Sequence, residues 1–419
     1  MNQREKVVTT VDELIAATKD AKCKQIIIRG KLTNVPSVRL SPGQSLRGSG
    51  VRIGITFVEG ADGLQLSSNN KIRNINLTTS PEKRAIFNDT NVDTLGRMEL
   101  HGVTAIGQIQ ILARGKVRSG HVNVNGLDIV SADARGQTER PNGYGVNVLQ
   151  GAFTLWNQHS DPAIVVTAEL KGISAGRNKA PVLGSGVFVG GGGDNGGRLN
   201  ATLLETGEIF SDGKIAPGTP DQITGGVFVV YGAHVKKIRN RKPVTTYGVN
   251  DMVLDNWGQV DHWTAEKKIT SHGPSGIGFV NFGTVKKLKV NAPIETFGQG
   301  ARGFNVYTGT VELAEFDRVV THADGAVGIQ ISQPIGRLVV RRGIETFGGT
   351  GPSLVKGVVV TLSAIALSIK PGGSAREIDI GGGIKTNGPG VSPIEQHGAI
   401  KTFRVSGGCI AAGAGFDKI

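Results

Sequence analysis

Apolar residues return along this chain at a fixed interval. Val244, Ile269, Ile294, Val319 and Ile344 each open a short segment (VTTYG, ITSHG, IETFG, VVTHA, IETFG), and each lies 25 residues after the last. Leu254, Phe279, Phe304, Ile329 and Leu354 form a second column at the same step, and Trp263, Leu288, Leu313 and Leu338 a third. A unit this short cannot bury its apolar side alone, so it must stack on its neighbours. The units are Val, Ile, Thr and Phe broken by Gly, which suits strands better than helices. Three short strands with three turns use about 25 residues, and stacking sets each strand roughly 4.8 Å from its equivalent. The pattern predicts an all-β fold, a single-stranded right-handed parallel β-helix with three strands per coil.

Alternation within a strand assigns the faces. With the anchor pointing inward, the position two later also points inward: Thr246, Ser271, Thr296, Thr321, Thr346 and, after an insertion, Thr386. Stacked hydroxyls there can bond to one another or to backbone. The first position after the anchor then faces out (Thr245, Thr270, Glu295, Val320, Glu345), as does the third (Tyr247, His272, Phe297, His322, Phe347). A second outward aromatic run is expected at Trp257, Phe282 and Tyr307.

At the start, TVDELIAATKDA over residues 10–21 predicts an amphipathic helix, with Thr10 and Glu13 spaced as a capping box, and the strand QIIIR follows at Gln25 to Arg29. A helix laid over the open end of a solenoid protects its unpaired strand edges. The expected organisation is a cap and first strand over 1–30, a β-helix over 31–408 and a tail over 409–419. Insertions are expected at Lys214 to Ile223 and within Gly349 to Arg376, and a side lobe over 134–162. The opening helix, the strand and the 25-residue coils resemble the pectate-lyase-like β-helix superfamily. That resemblance implies the architecture and extends to no catalytic motif.

Composition narrows the partners. The 63 glycines follow no G-X-Y period and fit turns, and aromatic residues make up only 5%. The formal net charge of +13 favours an acidic polymer. The basic residues are spread thinly apart from KKIRNRK at Lys236 and KKLK at Lys286, and neither carries a nucleic-acid reading motif. The expected partner is an oligosaccharide or polysaccharide, acidic by this charge. Cys23 and Cys409 lie at opposite ends of the chain, no zinc or redox spacing is present, and no cofactor or metal is expected. The opening MNQREKVVTTVDEL has no apolar signal-like run, and no stretch approaches membrane-span length, so the expected location is cytoplasmic, or extracellular if a leader has been removed.

Candidate chemistry sits on the outward columns. Glu295 and Glu345 share one column two rungs apart, a separation of roughly 9 to 10 Å, near the upper limit for an inverting glycosidase pair. His272 and His322 alternate with Phe297 and Phe347 beside them, and Asp324 opens the next turn. The cluster DMVLDNWGQVDHW adds Asp255 and Trp257, with Asp255 expected in the outward column of Asn305 and Gln330. Expected acid, base or proton carriers are therefore Glu295, Glu345, His272, His322, Asp324 and Asp255. Expected sugar contacts are Tyr247, Trp257, Phe297, Arg302, Tyr307 and Phe347. Arg302 beside Asp324 is the nearest analogue of a lyase site. The bland reading is that exposed Glu on strands is ordinary and that a ring column only stabilises its own rungs. The sequence thus supports a carbohydrate-active enzyme, glycoside hydrolase ahead of polysaccharide lyase. The alternative is a non-catalytic β-helix that binds glycan or protein, or that assembles as a trimer.

Overall fold

The computed structural model describes residues 4–51, 53–355 and 357–413. Contacts group the chain into two compact units: Met1–Gln137 with Gln150–Gly207 and Tyr231–His234, and Thr138–Leu149 with Glu208–Val230 and Val235–Ile419. Both are parallel β-helix.

In the first unit the helix forms over Val11–Lys19, and its capping box is complete: the Thr10 hydroxyl accepts from Glu13 N–H, and the Glu13 carboxylate accepts from Thr10 N–H. Leu14, Ala17 and Thr18 are its buried face, set against the opening strands. Its last carbonyls also find a donor, because the buried Gln44 carboxamide nitrogen lies 3.1 Å from Ala17 O and 3.2 Å from Asp20 O. A strand before the helix, Arg4–Val8, was not visible in the periodicity; it pairs in parallel with Cys23–Ile28. Beyond it, Ser45–Gly48, Lys71–Thr78, Thr94–Ile106, Ser119–Ser131 and Val165–Ala175 continue one parallel stack. A second stack runs from Val38–Arg39 through Leu64–Leu66, Arg84–Asn88, Gln108–Ala113 and Gly151–Asn157 to Ser185–Gly190. Gly151–Asn157 is wholly buried, so the expected lobe over 134–162 shrinks to the segment before it.

The second unit has three strands per coil in three parallel stacks. One holds the anchors: Val244–Thr246, Ile269–Ser271, Ile294–Thr296, Val319–Thr321, Ile344–Thr346, Ile384–Thr386 and Cys409–Ala411. The second runs through Asp251–Asn256, Ile277–Asn281, Arg302–Val306, Val327–Ile331, Leu367–Ile369 and Ile394–Gln396. The third runs from Gln259–Ala265 through Thr284–Val290, Thr310–Phe316, Pro334–Val340 and Ser374–Ile380 to Ile400–Val405. The expected tail thus begins as a paired strand, and its residues 414–419 lie outside the described residues.

The anchors Val244, Ile269, Ile294, Val319 and Ile344 are buried, as are Thr246, Ser271, Thr296, Thr321, Thr346 and Thr386. Where these hydroxyls bond, they bond to backbone: Thr321 Oγ1 donates to Ala326 O (2.6 Å), Thr346 to Ala364 O (2.5 Å) and Thr386 to Val391 O (2.8 Å), whereas Ser271 Oγ and Thr296 Oγ1 have no hydrogen-bond partner. Thr321 and Thr386 thereby satisfy a carbonyl of the bend that follows their own strands, and Thr346 satisfies one just beyond the inserted hairpin.

Two apolar assignments change. An extra residue in the Thr308–Gly309 turn slips the register, so Ala314 faces Leu288 and Leu313 lies beside Lys287 on the outer side. Leu354 leaves its column because Thr350–Val355 and Val358–Ser363 form an inserted antiparallel hairpin, and Leu367 takes the place beside Ile329.

Candidate functional site

The ring column forms as the repeat predicts. Each ring follows its short anchor strand directly, where one backbone bond to the preceding coil fixes its height: Phe297 N–H to Ser271 O (2.9 Å), His322 N–H to Thr296 O (3.0 Å) and Phe347 N–H to Thr321 O (2.9 Å). At the next residue the coils come close: a Cβ on Gly298 would stand 1.8 Å from Gly273 O and one on Gly348 1.9 Å from Ala323 O, and the residue after His322 is the small Ala323. The rings therefore stack. Centroid separations are 5.2 Å for Tyr247–His272, 5.1 Å for His272–Phe297, 4.5 Å for Phe297–His322 and 5.2 Å for His322–Phe347, with no pair more than 10° from parallel. Both faces of the three inner rings are covered by neighbours. What the strip offers outward is ring edges, which carry the positive end of the aromatic quadrupole.

Glu295 and Glu345 lie in one column, with Val320 between them. Glu295 is paired with Lys268 and receives His322 Nε2 at 2.8 Å. Burial alone would raise its carboxyl, but hydrogen bonds from Lys268 and His322 outweigh that and hold it below the usual carboxylate range. Glu345 is paired with Arg318, with Lys385 at 3.3 Å and Asn387 Nδ2 at 3.1 Å. Its carboxyl is likewise lowered, the Asn387 and Lys385 hydrogen bonds exceeding the effect of burial. Both are anions at neutral pH. His272, between two rings, is pushed below its ordinary value by partial burial and by Lys268. Asp324 Oδ1 accepts the Gly349 N–H at 2.7 Å, a bond that holds the turn of the next coil.

The remaining expected residues occupy a different place. Asp255, Trp257 and Tyr307 do sit on the outer side of their stack, but they are buried there, Asp255 completely. The cover is Tyr144, whose ring stacks on Phe282 at 4.4 Å and meets Trp257 edge-on at 5.1 Å. Tyr144 is carried by the segment 138–149, which is held down where Val146–Val148 pairs alongside Gln222 and Ile223. Arg302 is also fully buried: it donates to Ser353 Oγ (2.8 Å) and to the carbonyls of Gly300 and Leu354 (3.3 Å each), and so ties down the inserted hairpin. It makes no ion pair with Asp324 among the described residues. The structure thus brings Tyr247, His272, Phe297, His322, Phe347 and the two glutamates onto one strip, and places Asp255, Trp257, Arg302 and Tyr307 beneath a cover.

Periodicity had no means of revealing that cover, because its residues lie outside the repeat. Asp251, the first acid of the DMVLDNWGQVDHW cluster, is fully buried and accepts from Gly248 N–H (2.7 Å), Gly213 N–H (3.0 Å) and Thr224 Oγ1 (2.5 Å). Burial pushes its carboxyl up to about 7 against those three donors. Among the described residues no group of three or more His, Cys, Asp or Glu side chains is placed to hold a metal ion, and no helix is long and apolar enough to cross a membrane. Comparison with protein-family models, with curated proteins and with solved structures finds no match to this chain.

Proposed function

We propose that this β-helix binds an elongated acidic glycan along the strip from Tyr247 to Phe347 and does not cleave it. The observation that carries the reading is the state of the two carboxyls. A glycosidase needs one carboxyl kept protonated as the acid, whereas Glu295 and Glu345 are each ion-paired and lowered. As a binding surface the strip is coherent. Five rings present flat edges at a regular step along the coil axis, and Lys268, Arg318 and Lys385 line the same side. Hydroxyl and carboxylate oxygens of a sugar chain suit both kinds of group. The net charge of +13 adds long-range attraction for a polyanion.

Glycoside hydrolysis is the second reading, favoured by one contact: His322 Nε2 at 2.8 Å from Glu295 is placed to pass a proton to or from that carboxylate. One experiment separates the two. The purified chain is incubated with a panel of neutral and acidic polysaccharides, while reducing ends, unsaturated-uronate absorbance and retardation in affinity electrophoresis are followed together. Retardation by acidic glycans that weakens with salt, without product, supports binding. Product that disappears in Glu295→Gln or Glu345→Gln makes the protein a hydrolase.

A further inference from the structure

Two basic runs that the glycan strip does not use, KKIRNRK from Lys236 and KKLK from Lys286, come together in the fold. Strand Ala233–Asn240 carries Lys236 and Lys237 and pairs with Gln259–Ala265, which pairs in turn with Thr284–Val290, setting His262 beside Lys287 and Thr264 beside Lys289. Two rungs, roughly 9 to 10 Å, thus separate the lysine pairs on one outer face of the second unit. The charge there is unbalanced. Lys286 is paired with Asp261 at 2.9 Å and Arg239 with Glu266 at 3.1 Å, but Lys236, Lys237 and Lys287 make no ion pair among the described residues. Lysines often guard an unpaired sheet edge, yet Gln259–Ala265 and Thr284–Val290 each have a partner strand on both sides. Neighbouring ammonium groups left without counter-charge repel one another, so the face points to an anionic partner.

The face is continuous with the ring strip. Each of these strands reaches its anchor strand through a short turn, and the turns before Val244 and Ile269 carry Lys242, Lys267 and Lys268. Lys242 and Lys267 are exposed and make no ion pair among the described residues either. Lys268 belongs to both surfaces: it pairs with Glu295, and its ammonium stands 6.0 Å from the centre of the Phe297 ring. A polymer leaving the rings therefore meets cations around the corner. The side chains choose among polyanions. A flat sheet has no helix or ribbon to enter a duplex groove, and a single nucleic-acid strand needs aromatic rings to stack on. Here the outward side chains include no Phe, Tyr or Trp, since Trp263 points into the coil. An ammonium is a point charge that receives anionic oxygens from many directions, which suits carboxylates or sulfates repeated along a glycan. We propose that the acidic glycan of the ring strip turns over this corner and lays its outer length on the lysine face. Its class is then a polysaccharide with closely spaced acidic groups, longer than the strip. This rests on the glycan reading of the strip and adds a second contact area to it.

The test is fluorescence anisotropy of the full chain over a salt series with four labelled probes: polygalacturonate, an oligogalacturonate no longer than the strip (roughly 19 Å), dextran and duplex DNA. The variant is Lys236→Gln/Lys237→Gln/Lys287→Gln. A charge-matched control, Lys22→Gln/Lys24→Gln/Lys31→Gln, removes three exposed lysines of the first unit. Against polygalacturonate the variant should lose about tenfold in affinity at low salt, and its plot of log affinity against log salt should be shallower by about two. The control should keep most of both, the short oligomer should bind the variant and the unaltered chain alike, and dextran should not bind. Unchanged polygalacturonate affinity and slope in the variant would overturn the proposal while leaving the strip as the glycan site. An equal loss in the control would reduce the face to net charge, and an equal loss for the short oligomer would merge the two areas into one; either overturns it. Duplex DNA held more tightly than polygalacturonate through the same lysines would make this a nucleic-acid face instead. No glycan binding at all removes the strip reading, and this one with it.

Discussion

The rings of Phe297 and His322 lie 4.5 Å apart, centroid to centroid, and 1° from parallel. Phe297 has His272 on its other face at 5.1 Å, so its ring joins two halves of the ladder. Offset-stacked pairs contribute about 0.5–1.5 kcal/mol each beyond the area they bury, and this ring is 39% exposed. Phe297→Ala should therefore lower unfolding stability by about 1–2 kcal/mol, read as a shift in urea midpoint at constant slope. Phe297→His puts back a flat ring of the kind already present one rung away, and should cost less than half as much.

The carboxylates along this outer surface make stability depend on acid. Glu395 accepts from Lys370 Nζ and Ser368 Oγ (2.7 Å each) and from His397 Nε2 (2.9 Å), and although burial opposes them these bonds hold its carboxyl at about 2. Its folded value lies below its unfolded one, so the stability it contributes is complete above about pH 4.5 and is lost as pH falls toward 2. Glu295 and Glu345 are shifted in the same direction. Urea midpoints should fall between pH 5 and pH 3. Glu395→Gln should remove about 1–2 kcal/mol of that fall, allowing for solvent screening. An equal acid slope in the variant would show that the Lys370 pair contributes nothing.

Gly303 reports on how the coil interior is filled. A Cβ there would stand 2.2 Å from Val319 Cγ1 and 2.6 Å from Gly328 O, because the branched anchor of the next strand already occupies that space. Gly278 meets Ile294 and Gly328 meets Ile344 in the same way, one coil to either side. Gly303→Ala should cost about 1–3 kcal/mol through overpacking. Adding Val319→Ala opens room and should recover part of the loss, a coupling that a double-mutant cycle in thermal unfolding would measure.

The repeat made the anchors, the inward threonines and the ring column legible because their spacing is invariant, and residues a fixed count apart become neighbours in parallel coils. It failed wherever the count changed locally. Leu313 was assigned inward, but the added residue at Gly309 turned it toward Lys287, and Leu354 was carried off by the hairpin. The strip's charges could be named but not their state: Glu295 is lowered by Lys268 and His322, and only their distances show it. Asp255 and Trp257 were placed on the correct side and misjudged in exposure. Alternation says which way a side chain points; it does not say what lies over it, and here the cover is Tyr144, more than a hundred residues earlier.

Arg302 gives the last test, because its buried guanidinium is what holds the hairpin Thr350–Val355/Val358–Ser363 against its coil. It donates to Ser353 Oγ, Leu354 O and Gly300 O, while Ser353 Oγ donates onward to Gly300 O at 2.8 Å. One further bond, Leu354 N–H to Ser275 Oγ (3.2 Å), joins it to the coils, while Val358 and Val359 at its tip are 61% and 68% exposed. Arg302→Leu keeps apolar volume in the site but takes the donor from the Leu354 carbonyl and the Ser353 hydroxyl, while the Gly300 carbonyl keeps the Ser353 Oγ bond. The coils should survive, because their strands pair without Arg302's side chain. The hairpin should open more often: amide exchange over 350–363 is expected to speed up about tenfold, the factor that about 1.4 kcal/mol of lost local stability produces, while exchange in the anchor strands stays unchanged. Uniform acceleration through both would mean that Arg302 supports the coil itself rather than the hairpin laid over it.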